Sequence, residues 1–131
     1  MVEGPQTFAE AIDVIEETYE FMLAYAAQGR RRGEEDAGMR ERLARAEAAL
    51  GIIVLATAEA IGAGAQTGAA AAEFLGVVRE DAARARAAFR FVLAQLSIGS
   101  QIVDNLNATT HVRTLLTDLF LLDEALKISG I

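Results

Sequence analysis

The sequence predicts an all-α protein, an antiparallel four-helix bundle with heptad packing, and two observations support this fold class. Apolar side chains recur at alternating spacings of four and three residues, a period that places each set on one side of a helix. Capping residues and glycines interrupt the pattern three times, as expected between consecutive helices. The heptad stripes occupy residues 8–26, 39–60, 75–96 and 112–126.

The first predicted helix spans residues 8–28. Thr7, with Glu10 three residues later, forms a capping box at its start. Gly29 suits the left-handed backbone position that commonly follows the end of a helix.

The second helix is predicted to begin at Glu34 or Glu35, because acidic side chains are favourable at a helix N-terminus. It continues to about residue 61. The glycine-rich segment 62–68 then predicts a turn between helices, with Thr67 as the next N-cap.

The third helix is predicted to run from Ala69 at least to Leu96. Its heptad can be followed further, which favours one long third helix with a possible kink at Gly99. The alternative is a break over residues 97–100. The positions that extend the heptad are Gly99, Val103 and Leu106.

The stripes of the second and third helices contain small residues, which let two helix backbones approach closely. This composition predicts that the two helices form a tight antiparallel hairpin. The small positions are Ala46, Thr57, Ala60, Ala82 and Ala85.

The fourth helix begins after a cap at Thr109 or Thr110 and ends near Ile128. Its apolar residues cover nearly the whole circumference, so it needs to be buried on all sides. The first and third helices also carry a second apolar stripe. Because each helix of an isolated four-helix monomer exposes one face, this surplus predicts self-association or a helical partner.

Composition restricts the classes of function. A chain of 131 residues is one domain, spanning residues 1–131, by the usual length of domains. The formal net charge of −7 disfavours nucleic-acid binding, because phosphate backbones repel an acidic protein. The sequence has no cysteine and a polar, acidic N-terminus without signal-peptide features, so we expect a cytoplasmic protein.

Residues 48–72 contain Glu59 as their only charge and are long enough to span a membrane. The segment is rich in alanine and glycine, however, and the turn over residues 62–68 interrupts it. We therefore predict a buried core helix here and no membrane span.

Signals for chemistry are sparse. Metal sites in helical bundles use acids on facing helices with Glu-x-x-His pairs, and this chain has one histidine and no such pair. We therefore expect no metal and no cofactor. If the protein is an enzyme, the candidate residues are Glu59, Glu73 and His111.

Charge is distributed unequally between two of the predicted helices. The first carries five acids and no base, and the third carries four arginines, so their faces are complementary and could pair within the chain or between subunits. The acids are Glu10, Asp13, Glu16, Glu17 and Glu20, and the arginines are Arg79, Arg84, Arg86 and Arg90.

The leading hypothesis from the sequence is a non-enzymatic interaction or assembly protein, a homodimer or larger assembly that can also bind another helical protein in helix-in-groove mode. The alternatives are a bundle that holds an apolar small molecule or lipid tail, and an enzyme. The predicted interface residues are Val14, Phe21, Tyr25, Leu116, Phe120 and Leu121. The residues predicted to line an apolar ligand site are Phe8, Tyr19, Phe89 and Phe120.

Overall fold

The computed structural model describes residues 7–31, 33–63 and 68–128, and this part of the chain contains helices and no strand. The all-α prediction is therefore confirmed. The predicted turn residues 64–67, with the N-cap at Thr67, lie outside the described residues. Five helices are present within the described ranges: α1 (Phe8–Ala26), α2 (Ala37–Ala63), α3 (Gly68–Leu93), α4 (Ser100–Ala108) and α5 (His111–Ile128).

The start of α1 follows the predicted capping signal. The Thr7 hydroxyl oxygen accepts a hydrogen bond from the backbone N–H of Glu10 at 3.1 Å, so Thr7 is the N-cap. The helix ends at Ala26, two residues before the predicted end, and Gly29 adopts the expected left-handed conformation with φ of 67°.

The second helix begins later than the sequence suggests. The Asp36 carboxylate caps the helix by accepting a hydrogen bond from the N–H of Gly38 at 2.8 Å, so Glu34 and Glu35 lie before its first turn. The helix therefore starts at Ala37.

Helices α2 and α3 pack side by side and run in opposite directions. Arg40, near the start of α2, reaches the carbonyl of Leu93 at the end of α3, and Glu47, two turns further along α2, reaches Arg86 and Arg90. The predicted antiparallel pairing is therefore confirmed. Small buried side chains from both helices lie in the core, namely Ala46, Thr57, Ala82 and Ala85.

The other helices complete one apolar core. Helix α1 packs against α2, α4 and α5, and α3 packs against α2, α4 and α5. The largest fully buried side chains come from all five helices and from the α3–α4 loop: Tyr25, Phe89, Ile15, Met22, Met39, Leu43, Leu50, Ile53, Ile98, Leu115, Val78 and Val103.

The prediction of one long third helix is wrong. Helix α3 ends at Leu93, and α4 begins only at Ser100. The break, over residues 94–99, overlaps the alternative at residues 97–100 that the sequence left open and begins three residues earlier. Its cause is a set of polar contacts to residues far away in the chain, which the local heptad pattern does not contain.

The first of these contacts closes the end of α3. The Arg40 guanidinium donates hydrogen bonds to the carbonyls of Leu93 at 2.8 Å and Gln95 at 2.9 Å, which would otherwise be unpaired. Arg40 also forms a bidentate ion pair with the carboxylate of Glu35. The same carboxylate accepts a hydrogen bond from the N–H of Ile98 at 2.6 Å. The hydrogen bond from Arg40 lowers the pKa of Glu35.

The buried Tyr25 joins two loops, the one between α1 and α2 and the one between α3 and α4. The Tyr25 hydroxyl donates to the carbonyl of Ile98 at 2.6 Å and accepts from the N–H of Asp36 at 3.2 Å. The Ser100 hydroxyl donates to the Tyr25 carbonyl at 2.7 Å and accepts from the N–H of Arg30 at 2.8 Å. We call this set of contacts the loop junction; its members are Tyr25, Arg30, Glu35, Asp36, Arg40, Ile98 and Ser100.

The loop junction leaves no room for a side chain at Gly99. A Cβ atom at this position would lie 2.8 Å from the carbonyl oxygen of Arg30. We expect Gly99→Ala to lower the free energy of unfolding by about 1–3 kcal/mol, because backbone has to move to accommodate the methyl group. Gly76→Ala, in an open position within α3, should instead raise it by about 0.5–1 kcal/mol. Urea unfolding of both variants tests the pair, and equal effects would contradict the packing seen at Gly99.

Loss of the Tyr25 hydroxyl should weaken the whole junction. Tyr25→Phe leaves the Ile98 carbonyl and the Asp36 N–H without a partner, so we expect a loss of about 1–3 kcal/mol in the free energy of unfolding. Tyr19→Phe is the matched control, because the Tyr19 hydroxyl makes no hydrogen bond within the described residues. A Tyr25→Phe protein as stable as the control would show that the hydroxyl is dispensable.

Candidate interaction surface

A surface groove of about 290 Å³ runs between α1 and α5. Each wall is formed by residues at positions i, i+3, i+4 and i+7, which lie on one face of a helix. Leu23 and Phe120 border the groove with 48% and 53% of their surface exposed. The walls are Glu16, Tyr19, Glu20 and Leu23 on α1, and Arg113, Leu116, Thr117 and Phe120 on α5.

Two of the six predicted interface residues are exposed on α5. Phe120 borders the groove, and the neighbouring Leu121 is 61% exposed. At about 100° per residue, Leu121 lies opposite the buried Val112 and faces solvent. These two side chains form an apolar surface that the described residues leave largely exposed.

The other four predicted interface residues are used inside the fold. Val14, Tyr25 and Leu116 are buried, although Leu116 also borders the groove. Phe21 is partly buried, with the Arg42 guanidinium 4.2 Å from the centre of its ring. The second apolar stripe of α1 is therefore not free, because the helix contacts α2 on one side and α5 on the other.

Sequence reasoning missed Leu23 as a member of this surface. Leu23 falls outside both apolar stripes of the first helix, so the heptad gave it no role. The available signal was its spacing of four residues from Tyr19, which places both side chains on one face.

The acids of α1 form a second feature of this surface. Within the described residues, none of them is in an ion pair, and Glu16 and Glu20 line the groove itself. The opposite wall carries Arg113, which is also unpaired in this part of the chain. The face of α1 along the groove is therefore negatively charged and open to a partner.

The arginines of α3 are not the partners of these acids within the chain. Arg86 and Arg90 pair with Glu47 of α2 at 3.0 and 2.7 Å. Arg84 pairs with Asp81 of its own helix at 2.9 Å. The predicted complementarity of the two helices does not act within one chain, because α2 lies beside α3 and supplies a nearer carboxylate.

A second and larger cleft, of about 550 Å³, lies over the loop junction. Leu96, at its edge, is fully exposed. The Arg30 guanidinium is engaged by Gln28, Glu34 and the Tyr25 ring. The cleft is lined by Arg30, Arg31, Gln95, Leu96, Ser97, Gly99, Gln101, Ile102 and Asn105.

The candidate catalytic residues do not line either cleft. Glu59 and Glu73 are exposed on α2 and α3, and His111 is the first residue of α5. In the described ranges, no group of three or more histidine, aspartate or glutamate side chains is placed to hold a metal ion. None of the helices described is long and apolar enough to cross a membrane.

The residues predicted to surround an apolar ligand are separated. Tyr19 and Phe120 lie in the α1–α5 groove, whereas Phe89 is buried in the core. Phe8 is partly buried at the start of α1 and does not line the groove. The four aromatic side chains therefore do not share one cavity.

Comparison with protein families, curated proteins and solved structures returns no match to this chain. The surface offers three features that bear on function: an apolar groove, the exposed pair Phe120 and Leu121 on α5, and acids along α1 that have no ion-pair partner in the described residues.

A half-buried pair of carboxyl groups lies where α3 meets α5. Burial, together with a hydrogen bond and charge repulsion from Asp81, raises the pKa of Asp118 from 3.8 to about 7. The buried Oδ2 of Asp118 receives no hydrogen bond from a backbone or side-chain donor in the described part of the chain. Asp81 is held in place by Arg84 at 2.9 Å. The raised pKa therefore makes Asp118 the carboxyl that takes up a proton as the pH falls through neutrality.

This pair should make stability depend on pH. The folded chain keeps the proton up to about pH 7 while the unfolded chain releases it near pH 4, so the contribution of Asp118 to stability is lost as pH rises through this interval. We expect Asp118→Asn to be more stable than the wild type at pH 8, by about 1 kcal/mol or more, and the difference to shrink towards pH 4.5. Urea unfolding at pH 8 and pH 4.5 measures this difference in the free energy of unfolding. Asp104→Asn, at an exposed position on α4, is the control and should show no such trend.

Proposed function

We propose that this protein is a non-enzymatic helical interaction or assembly protein. It associates with itself, as a homodimer or larger assembly, and can bind another helical protein. The observation that carries this proposal is the exposure of Phe120 and Leu121 at adjacent positions of α5, beside the exposed Leu23 of α1. Burying a side chain of this size is worth about 1.5–3 kcal/mol relative to leaving it in water.

The arrangement of the helices supports a role in assembly. We infer that α3 and α4 together take the place of one helix in an antiparallel four-helix bundle, with α1, α2 and α5 as the other three. In such a bundle α5 would normally have its apolar residues covered, and here Leu121 remains outside. The absence of cysteine in the sequence fits a cytoplasmic location.

Self-association can be tested by substituting Leu121. We expect Leu121→Asp to convert the assembly into a folded monomer, because the side chain is 61% exposed and surface substitutions rarely unfold a chain. Light scattering across a dilution series gives the mass, and circular dichroism gives the melting temperature.

Leu55→Asp provides the matched control for this experiment. Leu55 is 65% exposed on α2, away from the proposed interface, so its substitution adds the same charge and should leave the mass unchanged. A wild-type protein that stays monomeric at all concentrations would remove self-association from the proposal. Unfolding of Leu121→Asp would show that Leu121 belongs to the core.

A further inference from the structure

The α1–α5 groove has the geometry of a site for one further helix. Its walls are two helical faces of matching length, each covering residues i to i+7, which is a distance of about 10 Å along a helix axis. The floor and rim are apolar at Tyr19, Leu23, Leu116 and Phe120. Two neighbouring helices with such faces offer the ridges and groove into which a third amphipathic helix packs.

The charges that line the groove indicate the sign of the charge that a bound partner should carry. On the α1 wall Glu16 and Glu20 alternate with the apolar Tyr19 and Leu23, and neither acid has an ion-pair partner within the described ranges. The remaining acids of α1 extend the same negative field along the helix. Lysine or arginine side chains on the partner would therefore be attracted to this wall.

A second copy of this chain is a poor occupant of the groove. In a two-fold symmetric contact groove meets groove, and because each groove carries Glu16 and Glu20 against one arginine, Arg113, the two surfaces have net charge of the same sign and repel. Three of the four arginines of α3 are engaged in ion pairs of their own chain, since Arg86 and Arg90 hold Glu47 and Arg84 holds Asp81. Charge therefore favours a different protein.

We propose that the groove between α1 and α5 binds an amphipathic helix of another protein, with apolar anchors at spacings of three and four residues and lysine or arginine side chains facing α1. This assignment rests on the proposed function, because it takes the exposed α1–α5 surface to be an interaction surface. It goes further by naming the partner's chemistry and by separating the groove from the self-association site at Leu121.

The test uses the full chain and a synthetic probe. A fluorescently labelled amphipathic peptide of about 18 residues, with leucines at heptad spacing and lysines on both flanks, is titrated with the protein and followed by fluorescence anisotropy. Two control peptides separate shape from charge. One has glutamate in place of every lysine, and the other has the lysine peptide's composition in scrambled order.

Paired variants locate the binding site. The double variant Glu16→Gln/Glu20→Gln and the single variant Phe120→Ser should each weaken binding of the lysine peptide by about tenfold or more. Glu59→Gln/Glu73→Gln removes the same charge from exposed positions elsewhere and should leave binding within about twofold. Phe91→Ser removes an aromatic side chain that is 69% exposed on α3, and should likewise have little effect.

Each outcome decides the inference. The inference is supported if the groove variants alone lose binding of the lysine peptide and the wild type binds neither control peptide well. Equal weakening by the Glu59→Gln/Glu73→Gln pair, or equal binding of the scrambled peptide, reduces the interaction to general charge attraction and overturns it. Absence of binding overturns it too, as does loss of self-association in Glu16→Gln/Glu20→Gln, which would make a second copy the occupant.

The failure of this inference is distinguishable from failure of the proposed function. Self-association is measured without peptide, through the mass of the wild type and of Leu121→Asp. If Leu121→Asp dissociates the assembly while the lysine peptide does not bind, the protein is still an interaction protein and only the partner assignment falls. If the wild type is monomeric and no peptide binds, both the proposed function and the partner assignment are refuted.

Discussion

The Tyr25 hydroxyl and the Glu35–Arg40 ion pair hold together the two loops on which the rest of the structure depends. Tyr25 bridges the Ile98 carbonyl to the Asp36 N–H, and Glu35 holds the N–H of Ile98 while Arg40 closes the end of α3. These bonds satisfy backbone groups that would be costly to bury without a partner. They also force the chain to leave the helical path after Leu93, which sets the direction in which α4, and then α5, returns to the core.

The exposed surface follows from that path. Helix α5 packs against α3 and α1 along the stripe that contains Val112, Leu115 and Leu119. One side of α5 is left at the edge of α1, where Phe120 and Leu23 line the groove and remain about half exposed. Leu121, the next residue along α5, is exposed as well. An apolar surface in this place is a consequence of how α5 docks, and it is the basis on which an interaction role is proposed.

Among the described residues, the ion pairs that join two helices connect α2 with α3, and none involves α1. Glu47 holds two arginines of α3, and the burial that raises the pKa of Glu47 is outweighed by hydrogen bonds from Arg90 and Arg86, which leave the pKa lowered. The acids of α1 keep their full negative field at the groove. Because surface ion pairs add little stability, this asymmetry matters more for partner choice than for folding.

The positions of most helices were determined by the sequence alone, because heptad stripes, the Thr7 cap and Gly29 are signals that act over a few residues. The antiparallel contact of α2 with α3 also followed from small residues in their stripes. The break after Leu93 and the burial of Val14 and Tyr25 were decided by tertiary structure. Each depends on a partner tens of residues away, as when Arg40 caps α3 or Ile98 meets Tyr25, and no local pattern contains that information. The late start of α2, in contrast, follows from the local cap that Asp36 places on Gly38. The exposure of Phe120 and Leu121 was predictable from the surplus of apolar residues on α5, whereas the groove with Leu23 exists only because α1 and α5 meet.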